Sequence, residues 1–221
     1  MSEREVVVRR LPVYLVLDVS GSMSGEPIES VKNAVDGLVS TLRQDPQSLE
    51  TVYLSVITFS DDASQLVPLT ELPSFQTPAL SPSGQTSFGR ALKLLSQRIR
   101  AEVTKSTFEQ KGDWKPMVVL MTDGQPTDNL SDIEEGLREF QSVKTGIVIA
   151  CGAGSSADTT FLKKISETVV TLATTDSRSI TAFFKWVSDS IAIGSQRIEQ
   201  GQGDPSQSTL PPPPPQVSIV V

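Results

Sequence analysis

The feature that most constrains this chain is a set of short, unbroken apolar runs. Val13-Tyr14-Leu15-Val16-Leu17 and Met117-Val118-Val119-Leu120-Met121 show no polar alternation. Strands of that kind need cover on both faces, which a sheet with one wet face does not provide. Between the runs lie segments whose apolar residues recur at helical spacing. Ile28, Val31, Val35, Leu38, Val39 and Leu42 mark a helix from Glu26-Pro27 to about residue 43, closed by Asp45-Pro46. Phe88, Ala91, Leu92, Leu95 and Ile99 mark a second, opening at Ser87. Ile133, Leu137 and Phe140 mark a third, for which Ser131 and Glu134 offer a capping box. Two more are expected, one capped by Asp158 and one from about Ser179.

Further strands are predicted at 52–59, 64–69, about 146–150 and 169–173. The turn Ser60-Asp61-Asp62-Ala63 is short enough for a hairpin, so the third strand is expected to be an antiparallel edge, and Asp61-Asp62 to be solvated turn residues. Strands alternating with helices predict an α/β fold: a doubly wound, mostly parallel six-stranded sheet with one antiparallel edge strand and helices on both faces. This domain is expected over residues 1–198. From 199 the sequence turns to Gln, Gly, Ser and Pro, with five prolines at 211–215. A disordered tail with a polyproline II segment is predicted over 199–221.

Composition excludes several functions. A net charge of −7 argues against a general binder of nucleic acid or anionic membranes. No histidine is present, which removes Ser-His-Asp and Cys-His catalysis and leaves a catalytic zinc site without its usual ligand. The single cysteine, Cys151, ends an apolar run and reads as a packing residue. A charged opening, Met-Ser-Glu-Arg-Glu, and no apolar run of bilayer length predict a cytoplasmic protein without membrane insertion.

Open α/β sheets bind ligands at the carboxyl ends of their strands, where the strand order reverses. The first strand runs into Asp18-Val19-Ser20-Gly21-Ser22, and the fourth into Thr122-Asp123-Gly124. Ser83-Gly84-Gln85-Thr86-Ser87 stands just before a helix. Brought to one edge, Asp18, Ser20, Ser22, Thr86 and Asp123 offer five oxygens to one ion. Two carboxylates with three hydroxyls suit Mg2+ that keeps water and takes one further ligand, with Mn2+ or Ca2+ as alternatives.

Asp18-x-Ser20-x-Ser22, Gly84-Gln85-Thr86 and Thr122-Asp123-Gly124 together resemble, in order, type and strand context, the metal-ion-dependent adhesion site of von Willebrand factor A domains. The fold resemblance covers roughly residues 10–197. It implies that Ser20, Ser22 and Thr86 bind Mg2+ directly or through water. Asp18 and Asp123 would act mainly through bound water, and an open position would accept a partner's Asp or Glu. Asp123-Gly-Gln-Pro-Thr-Asp128 and the short lead into strand one resemble the bacterial TerY type, encoded among tellurite-resistance and stress genes. That resemblance implies a protein kinase and a PP2C-type phosphatase as neighbours. Gln85 and Ser87 depart from the commoner Gly-Gly-Thr-Asp form.

Competing chemistry fits less well. A haloacid-dehalogenase-type phosphotransferase needs an aspartate where Ser20 stands. Gly152-Ala-Gly154-Ser-Ser-Ala157 follows the fifth strand rather than the first, so it reads as a turn instead of a dinucleotide loop. The expectation is a non-catalytic, Mg2+-dependent protein-interaction module. The alternative is a substrate or adaptor of a kinase–phosphatase relay, modified on rim hydroxyls such as Ser24, Ser87, Thr122 and Thr127.

Overall fold

The computed structural model describes residues 9–199 and 210–220. The strands are β1 (Leu11–Asp18), β2 (Val52–Phe59), β3 (Ala63–Glu71), β4 (Met117–Thr122), β5 (Val148–Ala153), β6 (Thr168–Leu172) and β7 (Val217–Ile219). The helices are α1 (Glu26–Leu42), α2 (Pro46–Thr51), α3 (Phe88–Glu102), α4 (Leu130–Gln141), α5 (Thr159–Ile165) and α6 (Ser177–Glu199). They form one sheet in the order β3-β2-β1-β4-β5-β6-β7. β1 is parallel to β2 and β4, β4 to β5, and β5 to β6, while β3 and β7 are antiparallel edges.

The apolar runs behave as their composition requires. Every residue of β1 and β4 is buried. Val13, Leu15 and Leu17 face a core that includes Val31, Val35 and Leu38 of α1 and Phe183 and Val187 of α6. Tyr14 and Val16 face the opposite core, with Leu92 and Leu95 of α3, Phe140 of α4 and Leu162 of α5. A strand period of two thus distributes one run between two helical layers. The doubly wound α/β architecture follows from that division.

The structure differs from the sequence expectation in four places. Asp45-Pro46 closes α1 but also starts α2, because the Asp45 carboxylate accepts from Ser48 N at 2.9 Å and Pro46 takes the first turn. Helix α4 begins two residues earlier than the Ser131 box implies: Asn129 Oδ1 accepts from Asp132 N at 2.9 Å, and Asn129 Nδ2 donates to the Asp132 carboxylate. β5 lies at 148–153, not 146–150, with Cys151 fully buried.

The fourth difference concerns the C-terminal segment. The sheet has seven strands rather than six. Residues 210–220, expected to be disordered, lie on the domain, while 200–209 fall outside the described residues. Val217, Ser218 and Ile219 pair with Leu172, Thr171 and Val170. Trp186 Nε1 of α6 donates to Pro211 O at 2.8 Å. Leu210 packs on the α1/α6 core, and Val217 is buried in it. Proline lacks an N–H but keeps its carbonyl, and here that carbonyl satisfies a mostly buried indole. Strand formation by 217–219 then depends on an open edge at β6, which composition does not reveal.

Candidate metal centre

The order of strands places the first switch between β1 and β4, since the chain moves from β1 outward to β2 and later returns to β4 on the other side. Two adjacent parallel strands therefore deliver their C-terminal loops side by side. Asp18 ends β1 and is 1% exposed. Its Oδ1 accepts from Ser20 N at 2.7 Å, and its Oδ2 accepts from Thr122 Oγ1 of β4 at 2.6 Å. Ser20 Oγ lies 3.1 Å from Ser22 Oγ, and Ser22 Oγ donates to Asp123 Oδ1 at 2.7 Å. Asp18, Ser20, Ser22 and Asp123 are thus brought together in one chain of hydrogen bonds, with Thr122 tying Asp18 to the strand that carries Asp123.

Thr86 arrives on a third loop. Gly21 N donates to Gly84 O at 2.9 Å, and Ser83 N donates to Val19 O at 2.8 Å, which ties the 83–86 segment to the Asp18–Ser22 loop. Thr86 N donates to Thr127 Oγ1 at 2.9 Å, and Thr127 N returns a bond to Thr86 O at 3.0 Å. A Cβ placed on Gly124 would stand 3.4 Å from Thr86 Oγ1, so this hydroxyl lies directly against the Asp123-Gly124 turn. All five residues singled out in the sequence converge on the same edge.

Two supports escaped sequence reasoning. Thr122 is fully buried, and its hydroxyl both holds Asp18 and accepts from Gly124 N at 3.1 Å. Asp61 accepts from Gln85 N at 2.9 Å, and its carboxylate fills the space over Gly84, whose φ is +71°. A side chain at Gly84 would meet that carboxylate at 2.3 Å, so glycine is needed for both φ and space. Asp61 is therefore more than a solvated turn residue. The only sequence signal for it was the glycine before Gln85-Thr86, which asked for something to lie above it. Ser87 donates from Oγ to Asp61 O at 3.0 Å.

The electrostatics follow from burial. Desolvation pushes the Asp18 carboxyl above the usual aspartate value, and the nearby Asp123 charge pushes in the same direction. Hydrogen bonds from Ser20 and Thr122 act against this but do not cancel it. The partners of Asp18 are hydroxyls and a backbone N–H rather than a cationic side chain. Among the described residues there is no group of three or more His, Cys, Asp or Glu side chains placed to hold a metal. The oxygen set here is of another kind, two carboxylates with three hydroxyls, and it fits a hard cation that retains water.

Other singled-out residues play packing roles. The Cys151 thiol is buried, and burial raises its pKa. Trp114 is partly buried, with the Arg9 guanidinium 3.5 Å from its ring centroid. Of the rim hydroxyls, Ser24 and Thr127 are exposed, whereas Ser87 and Thr122 are buried and already engaged. A cleft of about 520 Å3 lies along the C-terminal half of α1 beside Arg43 and Phe75, away from this edge. No helix of the described residues is long and apolar enough to cross a membrane.

Comparison with known proteins bears on the fold. The profile of the von Willebrand factor type A domain matches residues 13–186. An uncharacterized protein of Synechocystis sp. is 36% identical over 124 residues, 53% of this chain and 26% of that protein. Among solved structures, a von Willebrand factor type A protein from Catenulispora acidiphila superposes with a TM-score of 0.67 at 18% identity, over 84% of this chain and 43% of that one. Proximal thread matrix protein 1 from the mussel byssus, with a zinc-occupied MIDAS motif, gives 0.59 at 22% identity, over 82% and 48%. The chain thus spans about a quarter of its curated relative and under half of these structural neighbours.

Proposed function

Since this chain belongs to the von Willebrand factor type A domain family, we propose that it is a protein-interaction module whose contact point is a divalent cation. Ser20, Ser22 and Thr86 would hold the ion, with Asp18 and Asp123 fixing it directly or through water. A partner's Asp or Glu would complete the shell. The ion supplies a positive centre that a carboxylate can meet without a basic side chain. The observation that carries this reading is the buried Asp18, which accepts from Ser20 N, while the Ser20 and Ser22 hydroxyls lead on to Asp123, with no cationic side chain among its hydrogen-bond partners in the described residues.

The oxygen-only donors favour Mg2+, with Mn2+ and Ca2+ next. The mussel protein's zinc-occupied motif adds Zn2+ as an ion to compare. The reading is non-catalytic, because both carboxylates are engaged in positioning neighbouring hydroxyls and the chain has no histidine. A cytoplasmic, TerY-type stress setting with a kinase and a PP2C-type phosphatase rests on sequence resemblance alone. The modification reading is not favoured at Ser87 or Thr122, whose hydroxyls are buried.

Titration calorimetry of the full chain with MgCl2, MnCl2, CaCl2 and ZnCl2 tests the metal step. One ion per chain, lost in Asp18→Ala with the far-UV spectrum unchanged, is the expected result. Equal binding by wild type and Asp18→Ala would overturn the assignment.

A further inference from the structure

A second feature adjoins the same edge and bears on what the partner carries. A cleft of about 350 Å3 opens beside the site, lined by Val19, Ser60, Asp61, Asp62, Leu66 and Ala79 among others. Val19 is the residue between Asp18 and Ser20, and Asp61 holds Gln85 next to Thr86, so the cleft and the candidate metal centre share two loops. Its lining is of three kinds, of which Thr58, Ser60, Ser64 and Ser81 supply hydroxyls. Val19, Leu66 and Ala79 are apolar, and Leu66 is 42% exposed although it lies on an ordered strand. Asp61 and Asp62 contribute carboxylates.

The wider rim is acidic as well. The loops and first helical turns at the carboxyl ends of the parallel strands carry Glu26, Asp61, Asp62, Asp123, Asp158 and Asp176. Two cations, Arg90 and Arg178, stand in the first turns of α3 and α6. Arg90 reaches Asp62 at 3.6 Å, with 78% of the Asp62 side chain still exposed, an ion pair that a better-placed cation can displace. An acidic ligand approaching the metal would meet this surrounding field unless its neighbours carry the opposite charge.

A surface that sets apolar side chains and hydroxyls beside exposed carboxylates matches a long basic side chain. The aliphatic stem of lysine or arginine covers apolar surface while its head stays with carboxylates and water. We propose that this cleft receives a lysine or arginine of the same partner segment that supplies the metal's acidic ligand. The cleft would then set specificity, and the metal would set the anchor. The inference rests on the metal-bridged reading above.

The test is a synthetic array of eleven-residue peptides, each with a fixed central Asp and varied flanks, probed with the full chain in Mg2+ or EDTA. The expected result is EDTA-sensitive capture, with Lys or Arg enriched about threefold within three residues of the Asp and acidic flanks depleted. Asp62→Lys, a surface change, should erase the basic preference while leaving capture EDTA-sensitive. Leu66→Ser should weaken it. EDTA-sensitive capture without a basic preference, or with one that survives Asp62→Lys, overturns the cleft proposal and leaves the metal reading standing. Capture indifferent to EDTA overturns the metal reading, and with it the joint proposal. An array that captures nothing in Mg2+ counts against both.

Discussion

Asp18 shows how much one buried carboxylate constrains its neighbours. Burial disfavours its charged form, and Thr122, Ser20 and Ser22 are arranged so that it and Asp123 remain tolerable side by side. Because its folded-state pKa lies above the unfolded value, the native chain holds a proton that the unfolded chain has released. Metal-free stability should therefore rise as pH falls from neutrality through that raised value, where most such carboxylates lose stability. Metal affinity should fall over the same range, as protons compete for the ligand. Denaturant titrations in EDTA, beside calorimetry with MgCl2 at pH 7 and pH 5, check both signs. At Gly84, alanine would sit at φ +71° against the Asp61 carboxylate. Gly84→Ala is expected to cost about 1–2 kcal/mol and to weaken metal binding. Asp61→Ala should weaken metal binding several-fold by freeing the Thr86 loop, whereas Asp61→Asn keeps an oxygen for Gln85 N and should be milder. Equal affinities for these two variants would remove Asp61 from its positioning role.

At the scale of elements, β1 and β4 owe their place to their own composition, but β7 owes its place to β6. Its three residues could pair with little else, and they are held at both ends of the segment by Trp186 and by Val220 N, which donates to Val169 O at 2.8 Å. Deleting residues 210–221 would expose the β6 edge, the Trp186 indole and the apolar surface beneath Leu210 and Val217. The expected loss is about 2–4 kcal/mol from lost burial and hydrogen bonds. For a chain of this size that corresponds to a fall in Tm of about 5–12 °C. Scanning calorimetry reads it directly, and an unchanged Tm would mean that the segment adds nothing to the fold. The exposed β6 edge should also make the truncated chain more prone to associate.

For the whole molecule, the metal reading couples binding to stability. An ion that binds only the folded chain adds about 2.7 kcal/mol when present at a hundred times its Kd. Thermal melts in saturating MgCl2 should therefore shift upward by several degrees against EDTA, and Asp18→Ala should abolish the shift. With a net charge of −7 and an acidic rim, association with a partner segment that carries basic flanks should slow as salt rises, even where the metal anchor is retained. Stopped-flow association at two ionic strengths separates these contributions. On the proposed reading, the metal would govern whether the complex forms at all, and the surface field how fast.

The sequence alone determined the α/β architecture, because runs such as Val13–Leu17 admit only a strand covered on both faces. It also singled out Asp18, Ser20, Ser22, Thr86 and Asp123 as neighbours at one edge, because they sit in or beside the loops that follow such strands or precede a helix. These are local properties, readable from neighbours in the chain. Tertiary structure decided the remainder. Thr122 and Asp61 support the site across 104 and 24 residues of sequence, and Thr51 Oγ1 meets Ser195 Oγ across 144. No local pattern encodes such distant pairs. The proline-rich segment joined the sheet for the same reason: a free strand edge and an unsatisfied indole N–H exist only after the rest of the chain has folded.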